Sequence, residues 1–176
     1  MPALHLVLGF VVLQRVGELA FAHGNHRALR ARGAVEVGRE HYPAIVALHT
    51  AWLLALATTI DPESPLSLPW AGIFVLLECA RAWVIATLGR RWTTRVMVLP
   101  AAAPIRSGPY RYLKHPNYVI VCGELAVVPL MFGAWELAAA ASVLNLLVLR
   151  VRLRVENTAL DAVGTEARRV NDRERS

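Results

Sequence analysis

The sequence predicts an all-α integral membrane protein with about five transmembrane helices, and three observations carry that reading. Hydrophobic residues make up 56% of the 176 positions and charged residues only 18%, where soluble domains carry roughly a quarter. The apolar residues gather into runs suited to crossing about 30 Å of hydrocarbon as helix. The net charge of +6 resides in short connections that all fall on one side if five runs cross, which is the positive-inside pattern. Basic residues confined to such loops point to lipid headgroups and away from nucleic acid. The length suits one domain.

The first span covers about 2–22. No basic segment precedes it, and Gln14, Arg15 and Glu18 interrupt it where a cleavable signal would be continuously apolar, so it is expected to remain in the membrane. Arg15 and Glu18 stand three apart and read as an interfacial pair. The loop 23–42 carries Arg27, Arg30, Arg32 and Arg39 and is expected on the cytoplasmic side. Within it, 25–32 reads as a short surface helix ended by Gly33. A second span covers about 43–60. The connection 61–69, with Asp61, Glu63 and three prolines but no cation, belongs outside. A third span, 70–88, contains Glu78 and Arg81 at helical spacing. That pair is either functional or a charge compensation between packed helices.

The stretch 89–115 is strongly basic and again cytoplasmic; its part 92–99 reads as a surface segment or a short extended arm. A short fourth span, 117–131, and a fifth, 137–151, are joined tightly through Gly133 and predict an antiparallel helical hairpin. The last helix continues past the bilayer to Leu160 or beyond, so its end returns beside the start of the fourth span. The charged tail after Gly164 is expected to fray. The domain thus divides into three N-terminal spans (1–88), a core built on the hairpin (89–165) and a tail (166–176). The topology places the N-terminus outside and the C-terminus in the cytoplasm. Cys79 and Cys122 lie in apolar runs and read as packing; no metal cluster is expected.

Candidate chemistry concentrates in 107–118, SGPYRYLKHPNY. Gly108–Pro109 and His115–Pro116 each break the chain, and the second holds His115 away from the helical region. Between and after the breaks stand Tyr110, Arg111, Tyr112, Lys114, Asn117 and Tyr118: an imidazole, cations, stacking rings and free backbone donors in a small volume. These groups suit an anionic cofactor with an aromatic ring; a basic loop anchored at headgroups is the plainer reading. A second stretch, RVRLRVENTAL (150–160), places Arg152 and Glu156 on one helix face. By spacing alone they are a surface ion pair. Brought over His115, they add a cation for a carboxylate and a carboxylate for hydroxyls or an ammonium.

The blocks LGRRWTT (88–94), GPYRYLKHPNY and RLRVENTAL resemble the isoprenylcysteine carboxyl methyltransferase family of integral-membrane enzymes. The family's hallmark is a G-x-Y-R-x-x-R-H-P-x-Y block followed, one helical hairpin later, by an arginine and a Glu-Glu pair. The segment 13–43 is similar to a bacterial subgroup of alkylpyrone and alkylresorcinol O-methyltransferases associated with type III polyketide synthases. The resemblance implies an S-adenosylmethionine-dependent O-methyltransferase of the bacterial plasma membrane, acting on a lipophilic substrate that enters from the bilayer. It also implies that Gly108, Tyr110, Arg111, His115, Pro116, Asn117 and Tyr118 form the cofactor pocket with Glu156 and Asn157, and that Arg152 and Glu156 serve catalysis. Two positions depart from the pattern. Lys114 replaces an arginine and loses its bidentate fork, and Asn157 replaces the second glutamate, which puts a two-carboxylate role in question while keeping a side chain able to hydrogen-bond a ribose or amine.

The implied chemistry is direct in-line transfer to an oxygen. An acidic enol or carboxylic acid arrives ionised, whereas a resorcinol, with a phenol-like pKa near 10, needs a base from among Glu124, Glu156 and His115. Arg152 or Arg154 would hold the oxyanion. Other readings are prenylcysteine carboxyl methylation, phospholipid N-methylation, an NADPH-dependent membrane reductase with similar His-Pro and tyrosine motifs, and a small membrane scaffold or channel. Acceptor chain length and oligomeric state are not encoded in any motif.

Overall fold

In the computed structural model, which describes residues 2–99, 102 and 105–173 with side chains as far as Thr158, the chain folds into five long helices and one small sheet. The helices are α1 (Ala3–Ala31), α2 (Tyr42–Thr59), α3 (Leu68–Leu88), α4 (Pro116–Leu130) and α5 (Trp135–Arg173). Prolines near the first turns of α2, α3 and α4 start these helices where a missing N–H does no harm. Positive-φ glycines mark the ends of others: Gly89 caps α3, and Gly133 (φ 73°) makes the tight turn between α4 and α5.

Three helical stretches, Ala3–Ala31, Arg39–Thr59 and Leu68–Arg91, are long and apolar enough to cross a membrane. Helix α4 has 15 residues and rises only about 22 Å at 1.5 Å per residue. The bundle is apolar outside and charged inside. Leu13, Leu68 and Leu76 are each more than two-thirds exposed, while Arg81 and Glu124 are among the most deeply buried side chains. That inversion suits a lipid surrounding, which accepts exposed leucines freely and makes unpaired charge costly.

Helix α4 lies between α3 and α5, and α2 also packs on α5. One apolar cluster joins Leu4, Val11, Trp52, Phe74, Leu125 and Val128; a second joins Ala22, Val84, Trp92 and Ile120. By position along α1, α3 and α4, a buried charge network separates the two. Arg81 donates from Nε to Glu124 (2.7 Å) and from Nη1 to Glu18 (3.2 Å), and its Nη2 also bonds Glu124. Arg15 bonds both Glu124 and Glu18, the latter at 2.9 Å, and Gln14 donates to Glu78. The interfacial Arg15–Glu18 pair expected from sequence is thus part of an inter-helix cluster. Glu78 and Arg81, expected as one unit, turn toward different partners.

The all-α expectation needs one correction. A two-stranded antiparallel sheet pairs β1 (Val35–Val37) with β2 (Val96–Val98), with Glu36 opposite Met97. The segment 92–99 is therefore a short extended arm, because β1 supplies the edge that its backbone needs. One boundary also moves. Helix α1 runs on to Ala31, so 25–31 forms its last turns rather than a separate surface helix; buried Asn25 ties it to the Gly89 and Trp92 carbonyls (3.1 and 2.9 Å). Helix α5 runs through Arg173, in line with the expected continuation to Leu160 or beyond.

Candidate active site

The chain enters the site through a 3-10 turn, Gly108–Arg111, whose first residue has φ 55°. A side chain there would collide with Thr87 Oγ1 and meet Trp83 Nε1 at 3.2 Å. Glycine is needed both for the left-handed backbone and for the close approach to α3. Gly108→Ala is expected to cost about 1–3 kcal/mol, read as a lower unfolding midpoint in detergent; an unchanged midpoint would show that the turn is not held against α3.

His115 follows with φ −133° and ψ 64°, outside the helical region as Pro116 demands, and α4 begins. Its ring stacks on Tyr118, centroids 5.3 Å apart and planes at 19°. The hairpin brings α5 back over this point. Glu156 Oε1 lies 3.5 Å from His115 Nδ1, and the Tyr118 hydroxyl donates to Glu156 Oε2. Arg152 donates from Nε to the Tyr118 hydroxyl (2.7 Å) and from Nη2 to the Thr94 carbonyl (2.9 Å). Burial would raise the Glu156 carboxyl, but the hydrogen bonds from His115 and Tyr118, with the charge of Arg152, hold it below the usual carboxylate range. Tyr110 is half-buried against the second apolar cluster, and burial, with the Glu156 charge, pushes its phenol up to about 12. It stays a donor at neutral pH.

The structure brings together His115, Pro116, Tyr118, Arg152 and Glu156, with Asn117 in the first turn of α4. Arg111 is exposed and makes no hydrogen bond or ion pair among the described residues. The two departures from the family pattern prove to be one contact, since Lys114 Nζ donates to Asn157 Oδ1 at 2.6 Å. A neutral acceptor opposite a lysine leaves this edge more positive than a glutamate would. Of the three bases considered, Glu124 is buried in the Arg81 network, far less available than the sequence implied. Glu156 is already held ionised by its donors. His115 Nε2 is the remaining one, buried with no partner among the described residues, and Asn117 Oδ1 is in the same condition. Buried polar atoms are normally paired, so a polar ligand fits these open positions.

Sequence reasoning missed the sheet side of Arg152. Thr94, Arg95, Tyr42 and Glu36 meet there: Arg95 Nη1 donates to Glu36 (2.6 Å) and its guanidinium lies 4.5 Å from the Tyr42 ring centroid. The VEV and VMV triplets alternate, but three residues each are too few to mark a strand.

At one end of its hairpin the bundle thus gathers the Glu156 carboxylate, the Tyr118 hydroxyl, Arg152 and His115, with open polar positions beside them. The chain belongs to the isoprenylcysteine carboxyl methyltransferase family, which it matches over residues 70–162; this makes it a membrane methyltransferase of a family whose members use S-adenosylmethionine. It is 31% identical to the protein of Bacillus subtilis (strain 168) designated "Uncharacterized protein YpbQ", over 88% of this chain and 95% of that one. It is 25% identical to an "Uncharacterized protein" of Haemophilus influenzae, over 89% of this chain and 94% of that one. No solved structure gives a significant match.

Proposed function

We propose that the protein transfers a methyl group from S-adenosylmethionine to an oxygen of a lipophilic acceptor such as an alkylpyrone or alkylresorcinol. The cofactor lies between 108–118 and the Arg152–Asn157 face of α5. The observation that carries this reading is the Glu156 group, in which a buried carboxylate held ionised by His115, Tyr118 and Arg152 stands beside the open His115 Nε2 and Asn117 Oδ1. A fixed anion with unfilled hydrogen-bonding positions complements a ligand bearing an ammonium, hydroxyls and a sulfonium. In this reading α4 and the apolar first half of α5 complete five spans, with the N-terminus outside and the site at the cytoplasmic leaflet of a bacterial plasma membrane. The bacterial relatives support that setting.

S-adenosylmethionine, when bound, supplies a sulfonium methyl that an oxygen lone pair takes up in line as the C–S bonding electrons return to sulfur. The chain's own groups orient and desolvate. Glu156 would hold the cationic and hydroxyl groups of the cofactor, Tyr110 and His115 would border its ring, and Arg152 would hold the acceptor oxygen as an anion before attack. With Glu124 and Glu156 engaged by donors, the site favours acceptors that arrive ionised, and orientation is the main contribution to rate. A second reading, methylation of a prenylcysteine carboxylate, is favoured by the family match and uses the same residues.

Labelled S-adenosylmethionine given to the purified protein in detergent with alkylpyrones, alkylresorcinols, prenylcysteines and phospholipids tests these readings together. Label is expected on the acidic alkylpyrone faster than on the resorcinol. Label on prenylcysteine alone would move the conclusion to the second reading. Binding of NADPH with no S-adenosylmethionine binding would overturn both.

A further inference from the structure

Arg152 has two sides. One faces Tyr118 and Glu156; the other, through its bond to the Thr94 carbonyl, faces a shallow, open cleft between the sheet, the first turn of α2 and α5. The cleft is lined on its polar side by Arg152, Arg95, Tyr42 and Thr94, and on its apolar side by Ile45 and Val155. Gly38 sets this wall in place: it has φ 66°, and a side chain there would meet Val155 Cγ1 at 2.7 Å.

The lining of the cleft carries two guanidinium groups and one carboxylate. Arg95 is paired with Glu36, whose other oxygen lies 3.9 Å from His26, while the carboxylate near Arg152, Glu156, stands outside the lining. Arg95 is held by Glu36 on one side and by the Tyr42 ring beneath it, and Tyr42 is itself bonded to Thr94 (3.2 Å). A planar cation fixed in this way is pre-organised for an anionic oxygen. The apolar side leads outward, since Ile45 is followed on α2 by exposed Val46 and α5 exposes Val151 one turn before Val155. Cations at one end and an apolar exit at the other describe a site for an amphiphile with an anionic head.

We propose that this cleft receives the ionised oxygen head of the methyl acceptor, an enolate or carboxylate on an apolar tail, with Arg95 as the residue that selects the anion. The tail leaves past Ile45 and Val155 along the α2–α5 face. The proposal rests on the methyltransferase reading and brings the acceptor in from the cleft side of Arg152. Its oxygen, the proton already lost to solvent, must lie beside Arg152 in direct contact with the sulfonium methyl, where the O–C bond forms as the C–S bond breaks toward sulfur.

The test uses the full chain in detergent. Binding of a long-chain alkyl carboxylate is compared with that of its uncharged methyl ester by calorimetry, with S-adenosylmethionine affinity measured separately. Wild-type protein is expected to prefer the carboxylate. Arg95→Gln should reduce that preference by about tenfold or more while leaving S-adenosylmethionine affinity within about twofold. Arg95→Lys should restore part of it, and the KM for an alkylpyrone should rise in Arg95→Gln with little change in kcat. An unchanged preference in folded Arg95→Gln, or no preference in the wild type, overturns the proposal. A parallel loss of S-adenosylmethionine affinity also overturns it, by giving the cleft to the cofactor. Absence of S-adenosylmethionine binding in the wild type is a different failure, that of the methyltransferase reading itself.

Discussion

Glu156→Gln is expected to weaken S-adenosylmethionine binding by about a hundredfold. The substitution keeps shape but removes the charge that Tyr118, His115 and Arg152 surround, and hydrogen bonds to charged groups are worth about 1.5–3 kcal/mol each. It also leaves the Arg152 guanidinium without the nearby carboxylate. The pH dependence follows from the direction of the Glu156 shift. Its carboxyl is held below the usual range, so the charge is fully present above the ordinary carboxylate pKa and is lost only as pH falls through the depressed value. Wild-type binding should therefore stay flat from neutral pH down through mildly acid conditions and decline below the ordinary carboxylate range. Calorimetry on detergent-solubilised protein across that range reads both effects. Equal affinities for wild type and Glu156→Gln would remove Glu156 from the binding site.

The largest effect on stability is expected from Arg81→Leu. Arg81 is 2% exposed and joins Glu124 and Glu18 between three helices; its loss leaves two carboxylates facing Arg15 alone in an apolar setting. Breaking a buried pair from one side typically costs about 3–5 kcal/mol. The double variant Arg81→Leu with Glu124→Leu should recover much of that loss, since it removes the uncompensated charge along with its partner. Unfolding of the purified variants in detergent measures both. A single variant as stable as wild type would show that the network does not clamp the helices. Glu124→Gln separates structure from chemistry: lost stability with near-normal turnover in the surviving folded fraction is expected, and lost turnover at full stability would make Glu124 a base after all.

Much of the site was legible because its signals are local. Gly108–Pro109 and His115–Pro116 constrain the backbone by their own covalent geometry, and Arg152 and Glu156 share a face through helical periodicity alone. Span limits came within a few residues for α2, α3 and α4 because apolar runs and N-terminal prolines mark them. The sheet was not legible, since each strand has three residues, too few for alternation to stand out from chance. The continuation of α1 to Ala31 was hidden by polar residues that look like a loop until Asn25 finds the Gly89 and Trp92 carbonyls.

By itself, then, the sequence determined that this chain is a helical membrane protein of a methyltransferase family and where its helices begin, because hydropathy, proline geometry and motif spacing are properties of neighbours along the chain. Only the tertiary structure decided that Arg15, Glu18, Arg81 and Glu124 form one network, that Lys114 answers Asn157, and that Arg152 joins Tyr118 on one side to the Thr94 carbonyl on the other. Those pairings join residues tens of positions apart, and their partners depend on how far each helix is rotated and how deep it sits. Rotation and depth are settled by packing all five helices at once.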